Sequence, residues 1–180
     1  MAETILDNNE QLASAYRRSL RRGLELSSAS GLPESLGMGI ACRVYNSANL
    51  SVVTATVTTV TYDTELYDSS NMHSTSATTG RITITIPGFY IFGASHEWAD
   101  SAVGVRYSWI YLNGANRITA HESASVASTA HSITGSYFLN AADFLTCAVY
   151  QTSGGNLNLC NAASAPSSGM AMNFWAARIA

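Results

Sequence analysis

Between Gly80 and Trp98 the chain reads GRITITIPGFYIFGASHEW, and apolar and polar positions alternate through it with a period of two. Ile82, Ile84 and Ile86 fall on one side of an extended strand and Thr83 and Thr85 on the other, the pattern of a half-buried β-strand. Pro87 and Gly88 break the ladder, because proline has no donor and glycine tolerates positive φ. Alternation resumes with Tyr90, Phe92, Ala94, His96 and Trp98 on one face. A β-branched face followed by an aromatic one has to be covered by a second sheet or another subunit.

The same short-range pattern fills the chain from Ile40 onward. ACRVYNS and the Val/Thr-rich LSVVTATVTTVTYDT lead to a polar loop, Asp68 to Thr79. In VRYSWIYL, Val105, Tyr107, Trp109 and Tyr111 alternate against Arg106, Ser108, Ile110 and Leu112. Asn113-Gly114 follows and predicts a type I′ hairpin returning through ANRITAHESAS, since that turn needs positive φ at both central residues. SITGSYFL passes through NAAD into FLTCAVYQ, TSGGN predicts a second hairpin into NLNLC, and a Ser/Pro/Gly loop (Ala162 to Gly169) precedes the closing strand MAMNFWAARI. Roughly eight to ten short strands with no helix between them predict an all-β, antiparallel two-sheet jelly-roll sandwich over residues 40–180. No internal repeat points to a propeller or solenoid.

The N-terminal 39 residues have a different period. Asp7 followed by Glu10 reads as a capping box, and Leu12, Tyr16, Leu20 and Leu24 recur every four residues, predicting one helix from about Asp7 to Leu26. A strict spacing of four drifts around a 3.6-residue helix, so the narrow stripe suits docking on a partner better than an autonomous coiled coil. Arg17, Arg18, Arg21 and Arg22 cover the other faces, either as a solvated flank or as contacts to an acidic partner. Ser27 to Gly39 has linker composition. Residues 1–39 are therefore expected to be a helical anchoring arm and linker.

Composition narrows the function. Only 12% of residues are charged, lysine is absent and the net charge is −3, so no global field attracts nucleic acid. No apolar run approaches the ~20 residues of a membrane span, and MAETILDNNEQ lacks the basic-then-apolar order of a signal peptide. A soluble product made in the cytoplasm is expected. Cys42, Cys147 and Cys160 are too few for a disulfide framework. If TSGGN is a hairpin turn, Cys147 and Cys160 face each other on its arms, as a bridge or as two reduced core thiols.

Catalytic chemistry needs convergent titratable groups. His73, His96, His121 and His131 show no HxH, HxxxH or HxxEH spacing, and His96-Glu97 and His121-Glu122 place their members on opposite strand faces, unlike a metal-binding cupin. No GxSxG elbow occurs. Asp63, Glu65, Asp68 and Asp100 read as loop carboxylates, without a DxDxDG-like calcium run. Neither an enzyme nor a cofactor or metal is expected. Ile82, Ile84, Ile86, Tyr90, Phe92, Trp98, Tyr107, Trp109 and Phe174 divide between core and subunit packing, because so many apolar strand faces with so little charge suit an interface.

In order along the chain, CRVYNS, TYDTELYD, RITI with PGFYIF, LNG, LNAADFL, VYQTSGG and FWAARI resemble the globular C1q-type domain, which shares a trimeric jelly roll with tumour-necrosis-factor-like proteins. The resemblance covers about Ile40 to Ala180. Ala142 stands where the family usually has glycine, which puts the backbone of that turn in question, and the N-terminal segment replaces a collagen stem. TYDTELYD and QTSGG resemble the subtype in bacterial and bacteriophage proteins. The resemblance implies a non-enzymatic homotrimer on a virion, as a capsid decoration or fibre protein. The arm would grip a capsid or other virion protein. The alternative is a receptor- or glycan-binding module that uses apical loops (Asp68 to Thr79, Ser95 to Gly104, Ala162 to Gly169).

Overall fold

A computed structural model describes residues 39–124, 129–161 and 172–179 of the chain. The expected arm, including Leu12, Tyr16, Arg17, Arg18, Leu20, Arg21, Arg22 and Leu24, lies outside the described residues. Within them run β1 (Ala41–Tyr45), β2 (Leu50–Val52), β3 (Thr58–Thr59), β4 (Thr64–Asp68), β5 (Arg81–Thr83) and β6 (Gly88–Trp98). They are followed by β7 (Val105–Leu112), β8 (Asn116–Ala124), β9 (Thr129–Leu139), β10 (Phe144–Gln151), β11 (Leu157–Leu159) and β12 (Asn173–Arg178). Every pairing between them is antiparallel.

Strand β6 is the spine of the first sheet. All eleven of its residues pair with β9 on one edge, from Gly88↔Leu139 to Trp98↔Thr129. Its other edge takes β12 over Tyr90–Ser95 and then β11 at Trp98. Beyond β12 come β1 and β4, and beyond β11 comes β2. The second sheet runs β8-β7-β10, with β5 and β3 sharing the far edge of β10. This is a two-sheet antiparallel sandwich of jelly-roll form.

The corner at Pro87-Gly88 carries the chain from β5 in the second sheet to β6 in the first. Strand β5 ends sooner than the isoleucine alternation predicts: Ile82 and Ile84 are buried, but Ile86 has turned out and is 37% exposed. Ile84 pairs instead with a loop, its N–H donating to the Asp143 carbonyl at 2.7 Å and its carbonyl accepting from Ala142 N–H at 2.8 Å. The Ile86 carbonyl accepts the Tyr90 hydroxyl at 2.6 Å. These bonds replace the ladder that proline cannot continue.

Tyr90, Phe92, Ala94 and Trp98 of β6 meet Ile82, Ile110, Leu112, Leu145, Cys147 and Val149 of the other sheet in one core, with Phe174 stacked on Tyr62 at 5.6 Å. A Cβ at Gly135 would lie 2.8 Å from the Phe92 ring, so glycine there lets the ring lie against the β9 backbone. The Asn113-Gly114 turn joins β7 to β8 with φ of 54° and 71°, as the dipeptide predicts. TSGGN does not close a hairpin. It crosses between sheets, since β10 pairs with β3, β5 and β7 while β11 pairs with β2 and β6. Cys147 and Cys160 therefore lie in different layers, and all three cysteines are buried with no disulfide between them.

Candidate functional site

Alternation along β6 that buries Tyr90 and Phe92 necessarily sends Phe89 and Ile91 outward. Phe138 of β9 stands directly opposite Phe89, and Ser136 opposite Ile91; on the other side Ala177 and Trp175 of β12 lie beside Ile91 and Gly93. Trp175 lies so close over Gly93 that a Cβ there would come within 2.8 Å of its ring. The result is an apolar band across three strands, with Phe89 51%, Phe138 48% and Ile91 39% exposed. Toward the Trp98 end the same face turns to Ser95, Ser132, Thr134 and Asn173. Alternation places only two charged side chains on this face in β6, β9, β12 and β1: Glu97, which is buried, and Arg43, which donates to Asn173 Oδ1 at 3.3 Å.

Strand β9 is the rim of that face. Its whole length is bonded to β6, and among the described residues no strand pairs with its other edge. Thr119 of β8 reaches that edge, donating from its hydroxyl to the Thr134 carbonyl at 3.3 Å. Past that point Tyr137 and Phe138 are each 48% exposed. A long edge strand beside exposed aromatic residues is what monomeric β proteins avoid, because it invites another chain to pair or pack there.

The outer face of the second sheet is built differently. Tyr107 stacks on Trp109 at 5.4 Å, Tyr150 and Tyr111 pack against that pair, and Arg117 lies 4.6 Å above the Trp109 ring. The Tyr107 hydroxyl donates to Glu122 Oε1 at 2.6 Å. Tyr107 and Trp109 thus pack on this outer face, while Arg106, Ser108, Ile110 and Leu112 point inward.

Three of the four histidines converge, which their spacing in sequence gave no sign of. His96 and His131 are register partners on β6 and β9, and Ser108 of β7 reaches between them from the other sheet. Ser108 Oγ lies 2.6 Å from His96 Nε2 and 2.6 Å from His131 Nδ1, and His131 Nε2 lies 2.8 Å from Ser123 Oγ of β8. The His121 ring sits 4.3 Å from that of His131. Burial, reinforced by His131 and His121, pushes His96 down to about 3. Burial, then His121 and Arg106, pushes His131 down to about 4. Both are neutral in the folded protein at ordinary pH. Among the described residues no three His, Cys, Asp or Glu side chains are grouped so as to hold a metal ion.

The loop carboxylates serve the backbone. Asp63 accepts from the Ser47 N–H and hydroxyl, Asp68 from the Ser70 and His73 N–H groups, and Asp143 from Asn113 and Asn140. Glu65 pairs with His73 Nδ1 at 3.1 Å. The site residues missed in the sequence are Phe89, Ile91, Tyr137 and Phe138, although the alternation that buries their neighbours already turned Phe89 and Ile91 outward.

No family model and no curated protein matches this sequence. Solved structures do. Murine APRIL superposes with a TM-score of 0.57 at 11% identity, covering 79% of this chain and 100% of that one. The Eiger TNF of S. frugiperda gives 0.54 at 16% identity, covering 79% and 93%. The globular domain of zebrafish complement 1qA gives 0.52 at 16% identity, covering 78% and 97%. The fold is a TNF/C1q-like jelly roll. In this C1q-like sandwich the apolar band, the β9 rim and the buried histidines all belong to the β6–β9 pair.

Proposed function

We propose that this chain is a non-enzymatic structural module that assembles as a homotrimer through the outer face of the first sheet. We further place it on a bacteriophage virion, as a capsid decoration or fibre protein held by residues 1–39. The observation that carries self-association is the apolar band of Phe89, Ile91, Phe138 and Trp175 beside the rim of β9, whose outer edge takes no further strand among the described residues. The C1q-type resemblance supports three copies, and a heterologous contact of rim against neighbouring face closes into such a ring when its rotation is threefold. The virion placement rests on TYDTELYD and QTSGG. The non-enzymatic reading is supported by His96 and His131, which are sealed in the core out of reach of a substrate.

Native mass spectrometry at micromolar concentration tests the assembly. A trimer is expected, and a folded monomer with a β-rich circular dichroism spectrum overturns it. Deleting residues 1–39 is expected to leave the sandwich trimeric while abolishing recovery with purified particles. Undiminished recovery removes the anchoring role.

One observation favours a second reading as a receptor or glycan binder. The outer face of the second sheet gathers Tyr107, Trp109, Tyr111 and Tyr150 with Arg117 and Glu122, and aromatic rings flanked by charged hydrogen-bonding groups suit sugar recognition. A glycan array decides, since pure decoration gives no binding.

A further inference from the structure

The histidine cluster lies on the inward side of the β6–β9 pair whose outward side is the proposed interface, and it links β6, β7, β8 and β9 at one side of the core. His96 (β6) and His131 (β9) belong to the first sheet, Ser108 (β7) and Ser123 (β8) to the second. Their hydrogen bonds run from sheet to sheet in one chain, His96–Ser108–His131–Ser123, with no link longer than 2.8 Å.

Proton counting shows what the chain tolerates. A hydroxyl donates one hydrogen, so Ser108 gives it to one imidazole and accepts from the other. Two neutral histidines satisfy the chain in either direction. One added proton is still accommodated in bonding terms: His131 donates from both nitrogens and Ser108 donates to His96. A second leaves the Ser108 hydrogen facing two donors, with two cations whose ring centroids are 5.6 Å apart.

The surroundings oppose even the first proton. Among the described residues His121 of β8 and Arg106 of β7 are the other ionisable groups facing the chain, and both oppose positive charge on His131. Arg106 is itself buried, its guanidinium donating to the carbonyls of Ser101, Val103 and Val105 and lying 5.5 Å from the Trp98 ring. Glu97 and Glu122 take the alternate positions on β6 and β8 and face away, Glu122 accepting the Tyr107 hydroxyl outside. Residues 125–128, between β8 and β9, are Ser-Val-Ala-Ser and contain no ionisable side chain. Among the described residues no carboxylate is placed to compensate a buried imidazolium.

We propose that the His96–Ser108–His131–Ser123 chain is an acid-released latch: neutral, it clamps β8 of one sheet to β9 of the other, and protonation opens the sandwich along that side. The sign follows from linkage. The opened form binds protons near the ordinary histidine range and the closed form only far below it, so falling pH favours opening. The pushed-down values of His96 and His131 agree with this direction.

Hydrogen exchange by mass spectrometry on the full chain from pH 7.5 to 4.5, corrected for intrinsic rates, reads the opening directly. Amides of β8 and β9 are expected to lose protection at least about tenfold per pH unit below about pH 6, while β1 and β12 hold longer. The double variant H96Q/H131Q, which keeps hydrogen-bonding groups but cannot titrate, is expected to flatten that response. Constant protection of β8–β9 down to pH 4.5, or an unchanged acid response in the variant, overturns the latch. Should the variant not fold, NMR titration of the imidazoles in the native chain decides: values well below 6 for His96 and His131 support the latch, and titration near 6.5 overturns it. Oligomeric state is read separately by native mass spectrometry.

Discussion

Phe89 of β6 and Phe138 of β9 stand directly opposite each other, edge to face, with ring centroids 5.3 Å apart and planes at 79°. An edge-to-face pair contributes about 0.5–1.5 kcal/mol beyond the area it buries, yet about half of each ring remains in water. A second subunit recovers that surface. The double substitution F89S/F138S is expected to weaken self-association at least about a hundredfold, as loss of a central aromatic anchor does, and to leave the fold intact. Sedimentation velocity against circular dichroism checks it, and an unchanged assembly mass would place the interface elsewhere.

Ala142 answers the question raised by the missing glycine. It keeps the left-handed backbone, at φ 71°, in a turn closed by Asn140 N–H donating to Asp143 Oδ2 at 2.7 Å and Asp143 N–H donating to the Asn140 carbonyl at 3.1 Å. An L-residue in that conformation costs roughly 1–2 kcal/mol, partly offset by the extra entropy glycine has when unfolded. Ala142→Gly should therefore stabilise the domain by about 0.5–1 kcal/mol in urea unfolding. A loss of stability would mean the turn carries no such strain.

Gly104 presents the opposite case. Its φ is +80°, and an added Cβ would meet the Thr152 carbonyl oxygen at 2.0 Å. The clash is with backbone, and Thr152 also donates its N–H to the Val105 carbonyl at 3.2 Å and accepts Val105 N–H on its hydroxyl at 2.9 Å. Gly104→Ala is expected to cost more than about 2 kcal/mol, because both strain and displaced pairing act. Thermal unfolding of the variant measures it.

Global stability should decline in mild acid. Each proton withheld by the folded state costs about 1.4 kcal/mol per pH unit, so two histidines held at about 3 and about 4 remove on the order of 3–5 kcal/mol between pH 6.5 and 4.5. That is a large share of the roughly 5–15 kcal/mol that holds a domain together. Stability is full above about pH 6.5. Asp63, where burial raises the carboxyl but bonds from Ser47 and Thr64 together outweigh it, and Asp143, bonded by Asn113 and Asn140, are held low; their loss has the same sign but begins only near the ordinary carboxylate range, around pH 4. Urea midpoints at several pH values separate the two windows.

The three thiols should be silent. Burial pushes Cys147 up to about 12 and raises Cys42 further, and the thiolate is the reactive species. A disulfide-exchange reagent is expected to label none of them in the native protein at pH 8 and all three in denaturant. Rapid native labelling would mean that the sandwich opens readily.

Period-two alternation carried the sandwich, the corner at Pro87-Gly88 and the Asn113-Gly114 hairpin, because each follows from local steric rules that tertiary packing then reinforces. TSGGN failed for the converse reason: turn chemistry says where a chain bends, and says nothing about which sheet receives the next strand. Phe89 and Ile91 were legible as the outward half of a pattern read only for its inward half. His96, Ser108, Ser123 and His131 were not legible, since residues 8 to 35 positions apart meet only once two sheets are in register.

Ala41 pairs with Ala177, and Arg178 donates its N–H to the Ile40 carbonyl at 2.8 Å. The first and last strands of the sandwich are thus neighbours, entering and leaving at one pole, together with the turns at Asn113 and Asn140–Asp143. The connections at Ala99–Gly104 and Thr152–Asn156 crown the opposite pole. A tag or cargo joined ahead of Gly39 or behind Ile179 would ride on the same side of the domain and leave the far loops clear. A short splice between those two points would permit circular permutants that reopen the chain at the distal pole.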